Sequence, residues 1–352
     1  MKKKLIYIYP KKATFIERDL LFLNKKYKVL TQDLDWGSPR KLVINFIKQF
    51  FFLLNNIFKS EAIIINFGGY FSYLPTILGK LFKIRTFIIL NGTDCVSFPK
   101  YNYGSLRKDV LKSFIYNSYK NATKLLPVDT SLVLQKYTYI DDVTFKKQGF
   151  QFFFPELKTP YKVIPNGFDT TYWNFNIDIV KKGFISVGYV NSIKTFQLKG
   201  FDLIIEVAKR LPNQSFTLIG LSDLFKNQLK DIPKNVISIP YLNEDELKKE
   251  YQKHQFSLQI SLNEGFGCAL AESMLCGCIP IVSNVGALPN VIKDAGFKVE
   301  KKGSEFLFET LESVLKLKPE QLALLAIKSR ENIRDNFDIK IREELILQEI
   351  ES

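Results

Sequence analysis

The sequence predicts an α/β protein built around parallel β-sheets, and three observations support this prediction. Short apolar runs typical of buried strands alternate with helix-length segments along the whole chain. The 352 residues are 46% hydrophobic and 24% charged, which is enough apolar material for two domains with full cores. Polar or glycine-rich turns follow several of the apolar runs, as is typical of the carboxyl ends of parallel strands.

Strands and helices alternate in both halves of the chain. In the first half, apolar runs predict strands at 5–9, 27–30, 62–67, 86–90 and 124–128. In the second half, they predict strands at 183–188, 215–219, 236–240, 256–262 and 279–282. Helical spacing of apolar residues marks most of the intervening segments, and a last amphipathic helix is expected at 338–350.

The segment 41–58 is the most apolar of the helix-like segments. It contains Lys48 and the amides Asn45, Gln49, Asn55 and Asn56, so it is a poor candidate for a membrane span. We expect an amphipathic helix that packs on the core or lies on a membrane surface.

Positive charge is concentrated in the first half of the chain. Residues 1–165 contain 27 Lys and Arg against 11 Asp and Glu (net +16), whereas residues 166–352 contain 23 against 25 (net −2). Such a field attracts an anionic membrane, an anionic acceptor or nucleic acid, although an AT-rich genome would also encode many lysines. The chain has no nucleic-acid recognition motif or clustered basic arm, so we expect no nucleic-acid partner.

Cysteine usage and the N-terminal residues favour a cytoplasmic location. The four cysteines show no pairing framework, and with one histidine in the chain Cys276 and Cys278 make a poor metal site. The apolar run after the first lysines is only strand-length, so no signal peptide is expected. The single histidine, His254, precedes a core strand and is expected to be structural.

One stretch combines a buried strand, a tight turn and a helix. The apolar run 256–262 ends in a turn at 263–267, and a segment of small and apolar residues, 268–276, follows as a helix. A helix N-terminus offers backbone N–H groups and a positive dipole end to a phosphate. Gly265 and Gly267 would let the phosphate approach the backbone closely.

Two carboxylates flank this turn. Glu264 lies in the turn and Glu272 lies inside the helix. Because carboxylates repel phosphate, we expect them to accept hydrogen bonds from ligand hydroxyls, and a diphosphate site with two hydroxyl acceptors describes a nucleotide sugar. Gly-x-Gly between a strand and a helix is also common in α/β proteins that bind no phosphate.

The longer pattern resembles a known family signature. Residues 261–282 read Ser-x-x-Glu-Gly-Phe-Gly-x-x-x-x-Glu-Ser-x-x-x-Gly-x-x-Pro-Ile-Val, which is similar to the signature of the GT-B glycosyltransferases of family GT4. The resemblance implies two Rossmann-like domains whose parallel sheets face a central cleft. The expected domains are an acceptor-side domain at 1–168, a nucleotide-sugar domain at 169–335, and a C-terminal helix at 336–352 that returns to the first domain.

The resemblance also implies which residues bind the donor. Glu272 would take the ribose hydroxyls, Glu264 would contact the donor sugar, and Lys199 with the backbone of Phe266 and Gly267 would hold the diphosphate. A second cation is expected on the diphosphate, but Tyr189 follows Gly188 where the family has arginine, so Lys194 is the candidate replacement. Asn166, in a Pro-Asn-Gly-x-Asp element at the domain junction, completes the predicted donor set.

On the acceptor side the chain departs from the family. Asn91-Gly-Thr-Asp94 resembles a His-Gly-x-Asp turn, but an asparagine cannot transfer a proton near neutral pH. Asp94 is therefore the best polar candidate near the acceptor, together with Asn91 and Glu264 in the predicted catalytic set. Asp33-x-Asp35 is only a weak metal motif, and the family implies no metal and no other cofactor.

The expected function is that of a retaining, metal-independent glycosyltransferase in bacterial surface polysaccharide or glycoconjugate synthesis. A UDP- or GDP-sugar would be the donor, and a glycan or lipid-linked molecule the acceptor. The basic first half would allow peripheral contact with the inner face of the cell membrane. The alternatives are a non-catalytic nucleotide-sugar-binding protein of the same fold and a sugar-nucleotide epimerase.

Overall fold

Two α/β units make up the chain in the computed structural model, which describes residues 2–175, 179–229 and 231–352. Each unit has its own parallel sheet and core. The first unit comprises Met1–Lys136, Lys147–Gly167 and Ile339–Ser352, and the second comprises Tyr137–Lys146 and Phe168–Asp338.

A five-stranded parallel sheet in the order β2-β1-β3-β4-β5 forms the centre of the first unit. Its strands are β1 (Lys4–Ile8), β2 (Lys28–Thr31), β3 (Ser60–Asn66), β4 (Arg85–Leu90) and β5 (Lys124–Pro127). Residues of β3 and β4 are buried on both faces because helices cover the sheet. This explains why the central strands are continuous apolar runs in the sequence.

Helices of the first unit come from both ends of its sequence. They are α1 (Thr14–Lys26), α2 (Leu42–Asn56), α3 (Tyr70–Leu81), α4 (Asp109–Asn121), the short α5 (Phe150–Phe153) and α14 (Ile339–Glu351). The predicted amphipathic helix is α2, two residues shorter at its end than expected. Among the helices in the described ranges, none is long and apolar enough to span a membrane.

A short hairpin of the first unit flanks a segment that belongs to the second unit. Its strands, β6 (Gln135–Lys136) and β7 (Lys147–Gln148), are antiparallel and belong to the first unit. Residues 137–146 belong to the second unit, whereas the expected domain boundary kept them in the first. The cause is local bonding: the Tyr137 hydroxyl donates to the Leu262 carbonyl at 2.8 Å, and the Lys302 N–H donates to the Tyr139 carbonyl at 2.8 Å.

A six-stranded parallel sheet in the order β10-β9-β8-β11-β12-β13 forms the centre of the second unit. Its strands are β8 (Phe184–Val190), β9 (Phe216–Leu221), β10 (Val236–Ile239), β11 (Phe256–Gln259), β12 (Ile279–Ser283) and β13 (Phe297–Val299). Strand order reverses between β8 and β11, which makes the carboxyl ends of these two strands the switch point of the sheet.

The second unit contains eight α-helices in its described residues. They are α6 (Ile193–Lys199), α7 (Phe201–Arg210), α8 (Asp223–Lys226), α9 (Glu244–Lys253), α10 (Cys268–Leu275), α11 (Leu288–Ile292), α12 (Ser304–Val314) and α13 (Pro319–Phe337). Strand β11 is three residues shorter than the predicted run 256–262. Its continuation leaves the sheet, and the Leu262 N–H bonds the Leu198 carbonyl at the end of α6 instead of a strand.

Candidate active site

The sheet order brings two separate stretches of the second unit together. Strand β8 contains Gly188, and the turn that contains Glu264 follows β11. Because β8 and β11 are parallel neighbours, both stretches reach the carboxyl edge of the sheet at its switch point. The predicted donor residues Lys199, Gly265, Phe266 and Gly267 lie on the loops and helices that follow these two strands.

Glu264 is the centre of a polar cluster. Its Oε1 accepts hydrogen bonds from Lys199 Nζ at 2.6 Å, Ser261 Oγ at 2.8 Å and Gln259 Nε2 at 3.0 Å. The Glu264 side chain is 16% exposed. Three donors on one oxygen hold the carboxylate in a fixed orientation and leave it within reach of a ligand. Gln259 was absent from the predicted site, although its spacing of two from Ser261 would place both on one side of an extended strand.

Glycines make room for Lys199. A Cβ on Gly188 would lie 3.3 Å from both Cγ and Cδ of Lys199, so the lysine side chain runs directly over this position. Gly200, with φ of +70°, ends α6 and begins α7, and a Cβ there would lie 2.1 Å from the Ile260 carbonyl oxygen. Together, Gly188 and Gly200 let the Lys199 side chain lie along the carboxyl end of strand β8.

The turn before α10 is shaped by Gly267 and anchored by Phe266. Gly267 has φ of +95° and precedes the first residue of α10. The Phe266 ring is buried and packs against Phe168 and Phe337 at centroid distances of 5.7 and 5.3 Å. The ring therefore belongs to the core, and only the backbone at this position is suited to a ligand. A helix N-terminus of this kind attracts anions.

The remaining predicted donor residues of the second unit have different environments. Glu272 lies in α10 five residues after Gly267 and is largely buried. Lys194 lies in the first turn of α6 and is half-buried. Tyr189 is 70% exposed, so the position where the family has an arginine carries a solvent-facing aromatic ring.

Asp94 is fully buried in the first unit. Its carboxylate accepts hydrogen bonds from the Gly68 N–H at 2.8 Å, the Gly92 N–H at 3.1 Å and the Tyr119 hydroxyl at 2.9 Å. Burial raises the pKa of Asp94 above its usual 3.8, while these hydrogen bonds act in the opposite direction. The sequence suggested an acceptor contact at this position. In the structure Asp94 braces two glycine turns at the carboxyl edge of the sheet, and its role near the acceptor stays a prediction.

Asn91 begins a buried chain of side-chain hydrogen bonds. Its Nδ2 donates to Asn66 Oδ1 at 3.1 Å, and Asn66 Nδ2 donates to the Tyr7 hydroxyl at 2.6 Å. Tyr7 in turn donates to Asp19 at 2.9 Å, and Asp19 accepts two bonds from Arg342 of α14 at 2.6 and 2.7 Å. The sequence alone does not predict this hydrogen-bonded network, because its members are far apart in the sequence.

Asn166 does not lie in the unit that contains the other predicted donor residues. It is a buried residue of the first unit. The two preceding carbonyls, of Ile164 and Pro165, accept hydrogen bonds from Arg342 at 3.3 and 2.9 Å. Arg342 therefore holds the backbone that leads into Asn166.

A cavity of about 680 Å³ opens at the carboxyl edge of the first sheet. It lies after β1, β2, β3 and β4, at the switch point between β1 and β3. Its lining is mainly apolar and aromatic, with two lysines and two aspartates at its walls. The residues are Pro10, Lys11, Asp33, Leu34, Asp35, Trp36, Gly37, Pro39, Leu42, Phe67, Gly68, Gly69, Tyr70, Phe71, Thr93, Ser105, Lys108 and Leu111.

The Asp33-x-Asp35 motif lies on the wall of this cavity. Asp35 accepts hydrogen bonds from Lys41 Nζ at 2.9 Å and from the Gly37 N–H at 3.1 Å, and these bonds lower its pKa. Within residues 2–175, 179–229 and 231–352, no cluster of three or more His, Cys, Asp or Glu side chains could hold a metal ion.

Comparisons with known proteins agree with this architecture. The profile of the family described as glycosyl transferases group 1 matches residues 180–336. Over 164 residues the chain is 26% identical to the phosphatidylinositol N-acetylglucosaminyltransferase gpi3 subunit of Schizosaccharomyces pombe. That match covers 44% of this chain and 35% of the relative, so it spans about a third of the relative's length.

Two solved structures match the chain over nearly its whole length. Sucrose-phosphate synthase from Thermosynechococcus elongatus has a TM-score of 0.74 at 13% identity, covering 99% of this chain and 98% of that one. Anabaena HepE in complex with UDP and glucose has a TM-score of 0.72 at 13% identity, covering 99% of each chain. At this identity the likeness establishes the fold, which is GT-B. The chain therefore has the GT-B fold, and its residues 180–336 match the glycosyl transferases group 1 family, which agrees with its resemblance to family GT4.

Proposed function

We propose that this chain is a retaining, metal-independent glycosyltransferase that moves a sugar from a nucleotide-diphosphate donor to a glycan or lipid-linked acceptor. We place it in bacterial surface polysaccharide or glycoconjugate synthesis. The Lys199–Glu264 cluster carries the proposal, because it lies beside a helix N-terminus at the switch point of the second sheet. The HepE complex with UDP, on the same fold, supports a nucleotide donor.

In this proposal the donor binds along the carboxyl edge of the second sheet. Glu272 accepts hydrogen bonds from the ribose hydroxyls, and Glu264 accepts them from the sugar. The backbone at Phe266 and Gly267 holds the diphosphate together with Lys199. Lys194 supplies further positive charge, in place of the arginine that Tyr189 replaces.

The proposed reaction exchanges one bond at the anomeric carbon for another on the same face. The bond from the anomeric carbon to the diphosphate oxygen breaks, and the acceptor oxygen forms the new bond. The acceptor proton moves to an oxygen of the departing diphosphate. Negative charge grows on the diphosphate during this step, and Lys199 stabilises it. This route needs no protein base, so it is compatible with asparagine at position 91.

The cavity of the first unit is the proposed acceptor site. Its aromatic and aliphatic lining suits the apolar faces of a glycan or the first part of a lipid chain, and Lys11 and Lys108 suit an anionic acceptor. The name of the gpi3 relative includes a phospholipid, which favours a lipid acceptor. With its net positive first half, the chain would contact the anionic inner face of the cell membrane.

A thermal-shift screen tests the donor site directly. The purified chain is heated with UDP, GDP, ADP, CMP and their common sugars in the presence of EDTA. A ligand at a hundredfold excess over its dissociation constant stabilises the native state by about 2.7 kcal/mol. We expect one nucleotide diphosphate to raise the melting temperature. The rise should be lost in Glu272→Ala and kept in Glu309→Ala, a control at an exposed helical glutamate of the second unit.

Turnover then separates the proposal from its alternatives. Transfer with retained anomeric configuration in EDTA is expected, and an inverted product would contradict the mechanism. Conversion of the donor without an acceptor would identify an epimerase. Donor binding without any turnover would identify a non-catalytic binder, which the substitutions at Asn91 and Tyr189 favour as the second candidate.

A further inference from the structure

Helix α2 presents large apolar side chains to solvent. Val43, Ile44, Ile47 and Phe51 are 71%, 55%, 53% and 59% exposed, and Phe50 is exposed beside them. At 100° per residue these five side chains fall within an arc about 120° wide. Single exposed apolar side chains are ordinary, but a contiguous row of five on one helix indicates an interaction surface.

The opposite side of α2 holds polar side chains against the protein. Asn45 and Gln49 are buried, and they donate hydrogen bonds to the Asp35 carbonyl at 2.8 Å and the Phe71 carbonyl at 2.9 Å. An ordinary surface helix has the reverse arrangement, with polar residues outward. Because these two bonds set the rotation of the helix, the apolar row faces outward as a built feature of the fold.

The apolar surface continues beyond the end of α2. Phe58 is exposed, and its ring contacts Phe82 at a centroid distance of 4.6 Å. Next to Phe82, Leu81 is also exposed. We call the outward side chains of this surface the α2 face, which consists of Val43, Ile44, Ile47, Phe50, Phe51 and Phe58.

Positive charge accompanies the α2 face. No acidic residue occurs between Asp35 and Glu61, whereas four basic residues do. Lys48 lies within the helix and is exposed, and Lys59 is exposed at its end. The other two, Arg40 and Lys41, immediately precede α2.

We propose that the α2 face inserts into the interfacial layer of an anionic lipid bilayer. An interfacial helix combines an apolar side that enters the lipid with basic residues that meet anionic headgroups, and α2 has both. The charge favours lipid over a second copy of the chain, since two copies would bring like charges together. At 1.5 Å per residue the helix lies along about 22 Å of membrane surface.

The same helix forms a wall of the acceptor cavity. Leu42, its first residue, lines the cavity, and Trp36 of the lining packs against Phe46 of α2 at a centroid distance of 5.3 Å. Insertion of α2 would therefore place the cavity at the membrane surface, where a lipid-linked acceptor resides. This last step rests on the proposed function, whereas the docking of α2 on lipid does not.

Vesicle sedimentation tests the docking. The full chain is mixed with vesicles of phosphatidylcholine alone or of phosphatidylcholine with phosphatidylglycerol. The test variant is Ile47→Ser/Phe51→Ser, and the matched control is Ile237→Ser/Leu324→Ser, which removes two similarly exposed apolar side chains from the second unit. Melting temperatures establish that both variants are folded. A third variant, Lys48→Glu/Lys59→Glu, tests the charge.

We expect the wild-type chain and the control to bind the anionic vesicles. The test variant should bind them at least about tenfold more weakly. The charge variant should lose its preference for anionic vesicles. Equal loss in the control, or no binding by the wild-type chain, would overturn the proposal. A dimer in light scattering that the test variant dissociates, with no vesicle binding, would make the α2 face a subunit interface instead.

Donor binding is measured separately and without vesicles, so the two proposals can fail independently. Absence of any nucleotide shift would count against the proposed function while leaving vesicle binding interpretable. Normal donor binding with no vesicle binding would reject the membrane face alone.

Discussion

Lys199 is the residue on which the proposed chemistry depends most directly. It contacts Glu264 at 2.6 Å and is the cation assigned to the departing diphosphate. Removing one preorganised stabilising group from a developing negative charge typically lowers kcat by on the order of 10²-fold. We therefore expect Lys199→Met to reduce kcat by about that factor. Steady-state kinetics with the identified donor would measure it.

A control variant and one contrary result make the Lys199 measurement decisive. Lys209→Met is the control, since Lys209 is an exposed lysine on α7. This control should keep the wild-type rate. An unchanged kcat in Lys199→Met would mean that another group stabilises the diphosphate, with Lys194 the first to examine.

His254 makes stability depend on pH. The Glu250 carbonyl at 2.7 Å can only accept, so Nδ1 carries the proton and Nε2 accepts from the Thr217 hydroxyl at 2.8 Å. Burial lowers the pKa of His254 below its usual 6.5. The unfolded chain therefore binds the extra proton first, so stability is full above about pH 6.5 and falls as the pH drops toward the folded-state pKa.

Urea unfolding between about pH 7.5 and 5.5 would measure this dependence, with a slope of at most about 1.36 kcal/mol per pH unit from this one group. His254→Gln should remove that slope, and the chain has no other histidine to obscure the result. Equal slopes in the wild-type chain and the variant would show that His254 titrates alike in the folded and unfolded states.

At the scale of elements, the junction between α6 and α7 determines where Lys199 lies. Gly200 occupies this junction with φ of +70°, close to the Ile260 carbonyl. In Gly200→Ala, both the left-handed backbone and the steric clash are unfavourable. We expect a loss of about 2 kcal/mol or more in the free energy of unfolding. Denaturant unfolding would measure it.

Gly37→Ala is the matched control for this junction. Gly37 is an exposed glycine whose added Cβ would meet its nearest neighbour, Asp35 Oδ1, at 3.4 Å. The free energy of unfolding of the Gly37→Ala variant should differ little from that of the wild-type chain. If Gly200→Ala were equally harmless, the close packing of this junction against Ile260 would not be required for stability.

At the scale of the whole molecule, the last helix is tied to the first unit by a buried ion pair. Arg342 and Asp19 are both 2% exposed and lie 323 positions apart in the sequence. Removing one partner leaves a buried charge, so Arg342→Met should cost about 3–5 kcal/mol of unfolding free energy. Urea unfolding of the full chain is the measurement.

A double-mutant cycle distinguishes this pair from general packing. Asp19→Asn/Arg342→Met removes both charges and should be less destabilised than the sum of the two single variants. Additive losses would indicate that the two side chains act independently. Because the Tyr7 hydroxyl donates to Asp19, the cycle also tests the hydrogen-bonded chain that ends at Asn91.

Local sequence determined the fold class and the position of the candidate donor site. The alternation of apolar strands and helices predicted both parallel sheets, because such patterning depends only on residues close in sequence. The turn at 263–267 and the helix after it were predicted for the same reason, and the family signature there anticipated the GT-B fold. The site roles assigned to Glu264, Glu272 and Lys199 remain predictions.

Only the tertiary structure decided which distant residues meet. Strand order in the second sheet brings Lys199 and Gln259 into hydrogen-bonding contact with Glu264. Strand order in the first sheet likewise forms the hydrogen-bonded network that runs from Asn91 to Arg342. The outward rotation of α2 is of the same kind. Its sequence is apolar on nearly all sides, and two amide hydrogen bonds to the first unit decided which side faces solvent. Periodicity cannot supply such information, since it reports the spacing along one element and not the partner across from it.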